Sequence, residues 1–157
     1  MRRLILVSAG WILAASATAC HTNEPEPTGA LATALAHSRT VVASGEIQVS
    51  PDTIASAVDE TILAEASQEA GFAFGSDGEA VRCQGFLGCE AVGAFRGLAH
   101  VVEYEAPTAD SIVVKIRVLR FAPELGPLYE RVDEVHVTRA GSTEPWQIAN
   151  VVGISES

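Results

Sequence analysis

Four segments rich in Val, Ile, Tyr and Phe follow one another from His100 to the last residues, and they constrain the fold more than any other feature. They span residues 100–106, 111–121, 128–138 and 146–154. Apolar and polar residues alternate along them, which is typical of strands with one buried and one solvated face. Short connections containing Pro, Gly and Asp separate them. The sequence therefore predicts a four-stranded antiparallel meander.

One clear amphipathic helix is predicted before these strands. Ser50 and Pro51 are typical of a helix start, and Gly71 is typical of a helix end. Between them an apolar stripe recurs at four-residue spacing: Ile54, Val58 and Ile62. The polar residues away from this stripe are expected to face solvent: Glu60, Glu65, Gln68 and Glu69. Residues 31–37 favour a further short helix. Residues 40–50 favour a strand or hairpin-like edge, unless Gly45 ends a longer first helix.

The order of these elements predicts an α+β fold. A helix that precedes a meander must bury its stripe on the sheet, so we expect one main helix packed on a four- to five-stranded antiparallel sheet. This order resembles the cystatin-like group of folds. Segment 135–139, followed by a turn and Trp146-Gln147-Ile148, is similar to the last hairpin of NTF2-like domains. That resemblance implies a concave sheet face on which a pocket can form.

The N-terminus has the pattern of a secretory signal segment. Arg2 and Arg3 precede an apolar run of about 14 residues, and no acidic residue occurs before Glu24. The run is too short for a stable membrane span, which needs about 20 residues. We therefore predict export rather than a membrane-spanning anchor.

The residues at the predicted cleavage site are Ala17-Thr18-Ala19-Cys20. Ala17 and Ala19 fit the A-x-A pattern of signal cleavage. With Cys20 directly after it, the stretch resembles the lipobox of bacterial lipoproteins, although Ala17 stands where that family usually has Leu. The resemblance implies that Cys20 becomes the first mature residue and carries acyl chains. Ordinary secretion with a free or paired Cys20, and a retained anchor, are the alternatives.

This interpretation divides the chain into three parts: a signal peptide over 1–19, a lipidated cysteine with a flexible tether over 20–29, and a single α+β domain over 30–157. His21 stands after Cys20, where an aspartate often marks inner-membrane retention in Gram-negative lipoproteins. We therefore expect a lipoprotein that faces the periplasm or the cell exterior, with the outer membrane favoured in a Gram-negative cell.

The charge of the chain limits its partners. After removal of residues 1–19 the chain keeps 8 of its 10 Lys and Arg and all 20 Asp and Glu, which gives a formal charge of −12. Such a domain repels nucleic-acid phosphates and anionic lipid head groups. We therefore expect no nucleic acid partner. Membrane attachment would come from the lipid on Cys20, and the expected partner is another envelope protein.

The two remaining cysteines favour a disulfide. If Cys20 is lipidated, Cys83 and Cys89 are an even pair in an oxidising compartment. The alternatives are a redox pair, which usually has two residues between the cysteines, and a zinc site, which needs further ligands at matching spacing. Neither condition is met in the sequence.

A pocket on the concave face would gather five polar side chains. Strand parity with Val135 and Val137 places two of them inward, and parity with Trp146 and Ile148 places a third there. The candidates are His100, Tyr104, Arg131, Asp133 and Asn150. Such a cluster can bind a small molecule or transfer protons. The alternative is a bulge near Asp133 that leaves Arg131 and Asp133 as an exposed pair.

No Ser–His–Asp arrangement, metal-ligand set or phosphate-binding loop is visible in the sequence, so we expect no enzyme, no metal and no cofactor. A non-catalytic binding or assembly module is the favoured function. The alternatives are a small NTF2-like ligand-binding domain or enzyme, and a structural envelope component. A pocket that gathers the candidate residues would favour the former. A filled helix–sheet interface with an exposed apolar patch would favour a protein partner.

Overall fold

The structure is a computed structural model that describes residues 27–52, 58–83, 89–121 and 129–157. Cys20, the predicted signal segment and most of the predicted tether lie outside these residues. In the part that is described, no helix has both the length and the apolar character needed to cross a membrane.

The described residues form an α+β fold. The helices are α1 (Pro27–Ala36), a 3₁₀ turn (His37–Thr40), α2 (Glu60–Glu69) and the short α3 (Asp77–Ala80). The strands are β1 (Glu46–Val49), β2 (Ala73–Phe74), β3 (Val81–Cys83), β4 (Cys89–Ala91), β5 (Phe95–Thr108), β6 (Ser111–Arg120), β7 (Tyr129–Thr138) and β8 (Gln147–Glu156).

The main sheet has six strands in the order β2-β1-β5-β6-β7-β8. The last four strands pair antiparallel in chain order, so the predicted meander is confirmed. The predicted size and strand direction of the whole sheet are wrong. β1 adds to β5 in parallel, and β2 adds to β1 in parallel, which makes the sheet mixed and larger than expected.

The prediction of a single main helix is also not confirmed, because two ten-residue helices cover one face of the sheet. α1 begins at Pro27, inside the segment predicted as tether. It packs against β6, β7, β8 and α2, and its buried residues include Leu31 and Leu35. These two leucines belong to one core cluster with the inward valines and isoleucines of β6 and β7. The interface between helix and sheet is therefore filled.

The predicted start of α2 is wrong. Its N-cap is Asp59, whose carboxylate accepts a hydrogen bond of 2.8 Å from the Thr61 amide. The Ser50 hydroxyl instead accepts from the Asp52 amide at 3.1 Å, which is a local turn. Residues 53–57, which include Ile54, lie outside the described residues. The predicted end is confirmed, since Gly71 adopts φ 73° directly after the helix.

The opposite face of the sheet is covered at one end by α3 and the β3–β4 hairpin. Ala80, Leu98 and Phe121 form a second small core cluster there. Cys83 and Cys89 are paired across the hairpin, and their sulfurs lie at a bonding distance of 1.99 Å. The predicted disulfide is therefore present, and at the other end of the two strands Val81 and Ala91 pack against this second cluster.

Candidate functional site

The structure does not bring the five candidate pocket residues together. His100 pairs with Arg117 of β6, on the face that α3 covers. Tyr104 pairs with Val114, on the face that α1 covers. A register shift in β5 between Val101 and Glu103 separates them. Because one extra residue in a strand reverses the facing of all later side chains, the predicted shared face of His100 and Tyr104 is wrong.

A register irregularity of the same kind makes the predicted position of Asn150 wrong. In β8 the residue opposite Val137 is Ile148, and the residue opposite His136 is Asn150, so Ala149 is unmatched. Asn150 therefore faces the side opposite to the α1 helix and is exposed. The prediction that it points inward is wrong.

Arg131 and Asp133 do lie together, on the α1 face of β7. Asp133 is only 1% exposed, and its Oδ1 accepts a hydrogen bond of 2.8 Å from Arg131 Nε. The alternative prediction, in which Arg131 and Asp133 are both exposed, is therefore wrong for Asp133. A register shift does occur beside Asp133, but the unmatched residue is Ile154 of β8. β7 thus keeps its alternation, and Asp133 stays on the same face as Val135.

His37 completes this cluster and was not predicted. Its Nε2 lies 2.8 Å from Asp133 Oδ2, so the carboxylate has a basic partner on each oxygen. The hydrogen bond with Asp133 raises the pKa of the Arg131 guanidinium, which keeps it charged. No local signal could have joined His37 to a strand 96 residues later. The cluster fixes the 3₁₀ turn to the sheet.

The geometry of this cluster does not support nucleophilic catalysis. The Thr40 hydroxyl oxygen is 3.5 Å from His37 Nδ1, and it donates to the His37 carbonyl at 2.8 Å. The hydroxyl hydrogen of Thr40 is therefore donated to the His37 carbonyl and not to the His37 ring. A surface depression of about 240 Å³ is lined by Arg131 and residues 153–156. Among the described residues no group of three His, Cys, Asp or Glu could hold a metal ion.

A second histidine–aspartate pair lies on the opposite face. His100 is 3% exposed, and its Nε2 lies 2.8 Å from Asp77 Oδ1 at the start of α3. Burial raises the pKa of Asp77, but hydrogen bonds from Ser50 and His100 and the charges of His100 and Arg117 outweigh it, so the pKa is lowered overall. His100 Nδ1 is buried and has no hydrogen-bond partner among the described residues. This pair fastens α3 to the sheet.

The most exposed apolar surface lies on β8. Its neighbour on one side is β7, and no strand of the described residues pairs with its other side. The exposed large hydrophobic side chains of the described residues are all on this strand: Ile148 (41%), Val152 (45%) and Ile154 (50%). This edge position could have been predicted from the sequence. The last strand of a consecutive meander pairs on one side only, unless another segment covers its other side.

Comparisons of the chain with protein-family models, with curated proteins and with solved structures find no match. The resemblances to lipoproteins and to NTF2-like domains therefore depend on the residues quoted above alone.

Proposed function

We propose that this protein is an exported envelope protein, lipid-anchored through Cys20, whose domain is a non-catalytic binding module that engages a protein partner along β8. The leader supports the first part, through Arg2, Arg3, the short apolar run and the Ala17-Thr18-Ala19-Cys20 stretch. The β8 edge supports the second part and carries the proposal.

The exposure of β8 is the observation on which the binding role depends. β8 is an edge strand of ten residues, and in the part of the chain that the structure describes no strand pairs with the outward backbone groups beside Ile148, Val152 and Ile154. Natural edge strands are usually blocked by lysine, proline or a covering element, because a free edge accepts strands from other chains. β8 contains no lysine, arginine or proline. An edge of this kind suits recognition by strand addition.

The filled interface on the α1 face argues against the alternative of an NTF2-like ligand binder or enzyme. Leu31 and Leu35 occupy the space between α1 and the sheet, where a concave-face pocket would lie. His100 and Asn150 face away from Arg131 and Asp133. The protein therefore has a packed interior and an exposed apolar edge, which favours a protein partner.

The first turn of α1, which follows the predicted anchor in the sequence, is close to the same edge. A Cβ placed on Gly29 would lie 3.5 Å from Trp146 Cδ1, so the first turn of α1 sits beside the start of β8. Cys20 precedes Pro27 by seven residues, which span at most about 25 Å. A lipid on Cys20 would hold Pro27, at the start of α1, within that distance of the membrane.

A photo-reactive amino acid placed at Ile154 tests the binding role in intact cells. We expect covalent adducts from Ile154 and none from the same group at Ala106, an exposed position of β5 that is separated from β8 by two strands. Adducts of equal yield from both positions, or from neither, would contradict the assignment of β8 as the binding edge.

A further inference from the structure

We infer that the partner bound along β8 is a second copy of this chain, joined by antiparallel β8–β8 pairing about a two-fold axis at Val152. The inference deepens the proposed function, because it rests on β8 being the binding edge. It would convert two six-stranded sheets into one continuous sheet.

The direction of the backbone groups in β8 fixes which residues can bind a new strand. Glu130 and Ser157 exchange both of their backbone hydrogen bonds. Because such pairs alternate along antiparallel strands, Glu134 and its partner Val152 also bond to each other. The amides and carbonyls of the two neighbours of Val152, Val151 and Gly153, then point to the free edge.

A regular stretch limits the register of the pairing. Unmatched residues occur in β8 at Ala149 and Ile154, and the four residues 150–153 lie between them without interruption. Residues that are directly opposed in an antiparallel pair point to the same face of the sheet. In a symmetric pair the two-fold axis therefore lies midway between the two copies of one residue, which oppose each other directly. An axis at Val152 opposes Val151 to Gly153 of the copy and uses only the regular stretch.

This register satisfies both the backbone and the exposed side chain. Val151 and Gly153 of each copy would form four hydrogen bonds across the axis. The two Val152 side chains would meet in a non-hydrogen-bonded pair, where opposed Cα atoms are only about 4.5 Å apart. Val152 is 45% exposed in the single chain, and the contact would cover it.

Charge makes a copy of the same strand an acceptable partner for an acidic domain. The mature chain would carry a formal charge of −12, as its 20 acidic and 8 basic residues give, yet Glu156 is the one charged residue in β8. Its carboxylate accepts a hydrogen bond from the Tyr129 hydroxyl. Glu134, opposite Val152 on the same face, is paired with His136 at 2.8 Å. Two copies can therefore approach along β8 with little repulsion.

The symmetry is compatible with two anchors in one membrane. In a continuous antiparallel sheet the two-fold axis is perpendicular to the sheet, so both α1 helices lie on the same side of it. Pro27, the first described residue of each copy, would then lie on that side. Four hydrogen bonds and one valine contact make a small interface, and confinement of both copies to a membrane raises their effective concentration.

Cysteine cross-linking in membranes tests the register directly. In the otherwise unmodified chain, Val152→Cys should form a disulfide-linked dimer under mild oxidation, because the opposed Cα separation lies in the disulfide range. Ala106→Cys should give several-fold less dimer. Equal dimer from both variants, or none from Val152→Cys, would overturn the inference.

Sedimentation of the Cys20→Ser chain gives an independent readout. The mass should rise from one chain towards two with concentration, whereas a chain that also carries Val152→Lys should stay monomeric. Lysine at this position faces Glu134 of its own chain, so the fold should be kept, and Ala106→Lys serves as the control. A monomer even at about 1 mM, a concentration comparable to that of tethered partners, would overturn the inference. If Ile154 adducts then contain a different protein, β8 binding stands and only the second copy is excluded.

Discussion

His37 Nε2 lies 2.8 Å from Asp133 Oδ2, across 96 residues of sequence and between the 3₁₀ turn and β7. The second oxygen of Asp133 accepts from Arg131 Nε at the same distance. Asp133 is only 1% exposed, so His37 and Arg131 take the place of water around its carboxylate. The relationship explains how the end of α1 is held against the sheet beside β8.

Removal of the buried carboxylate should destabilise the fold strongly. Asp133→Ala leaves His37 and Arg131 without their shared acceptor, and breaking a buried ion pair on one side costs about 3–5 kcal/mol. The free energy of unfolding, measured by urea denaturation at pH 7, should fall by that amount. A change below about 1 kcal/mol would show that the cluster does not hold the 3₁₀ turn.

Asp110 provides the matched control. Its Oδ1 accepts from Arg139 Nε at 2.8 Å, the same atoms and distance as in the Asp133–Arg131 pair, but the Asp110 side chain is 47% exposed and that of Arg139 is 13% exposed. Because water reaches this carboxylate, the pair should contribute close to the value of about 0–1 kcal/mol that is typical of surface pairs. Asp110→Ala should therefore have a much smaller effect on unfolding than Asp133→Ala.

Asp77 should make the protein sensitive to acid. Its pKa is lowered in the folded state, where hydrogen bonds from Ser50 and His100 and the charges of His100 and Arg117 outweigh the effect of burial. A lowered folded pKa stabilises the protein above the ordinary value of 3.8, and that stabilisation is lost as the pH falls through the folded value. Stability measured from pH 7 to pH 2 should therefore decline below about pH 4.

Two substitutions separate this contribution from that of other carboxylates. Asp77→Asn should lower the free energy of unfolding at pH 7 and flatten its decline in acid. Ser50→Ala should flatten the decline in acid by a smaller amount, because it removes one hydrogen bond to Asp77 and leaves His100 in place. It also removes the bond from the Asp52 amide, which lowers the free energy of unfolding by the same amount at every pH. An Asp77→Asn protein with the acid decline unchanged would refute the assignment.

The disulfide should stabilise the β3–β4 hairpin locally. Replacing both Cys83 and Cys89 with serine should lower the free energy of unfolding by about 2 kcal/mol, as the chain-entropy estimate for a short loop gives. Amide exchange should accelerate at Val81 and Ala91 while the β6–β7 ladder is unchanged, because β3 and β4 form a two-stranded sheet of their own that packs on the main sheet at the small second core cluster. Quantitative alkylation of Cys83 and Cys89 in the untreated exported protein would contradict the pairing.

The meander was predictable because its information is local. Alternation in β6, where Ile112, Val114, Ile116 and Val118 are all buried, is visible in the sequence, and the short connections force neighbouring strands to pair. The parallel additions of β1 and β2 were not predictable. These strands have four and two residues, and their partners are set by distant contacts rather than by a turn.

The candidate site was predictable only where strand alternation is unbroken. β7 has no extra residue of its own against β6, so parity correctly placed Arg131 and Asp133 on one face. β5 and β8 each contain unmatched residues, and these reversed the facing of Tyr104 relative to His100 and of Asn150. Single bulges leave no clear signal in one sequence. His37 was not predicted for a different reason, because it reaches Asp133 through the packing of α1 and not through any local pattern.

The membrane-tethered role depends on the modification of Cys20, and the most direct measurement is the mass and membrane partitioning of the exported chain with Cys20 intact and with Cys20→Ser. We predict that the intact chain stays with the membrane in high salt and carries the mass of a diacylglyceryl group and an acyl chain on Cys20, because two or more chains give stable attachment. The Cys20→Ser chain should lack this mass and be released. Equal partitioning of the two chains, with no added mass on Cys20, would contradict the account.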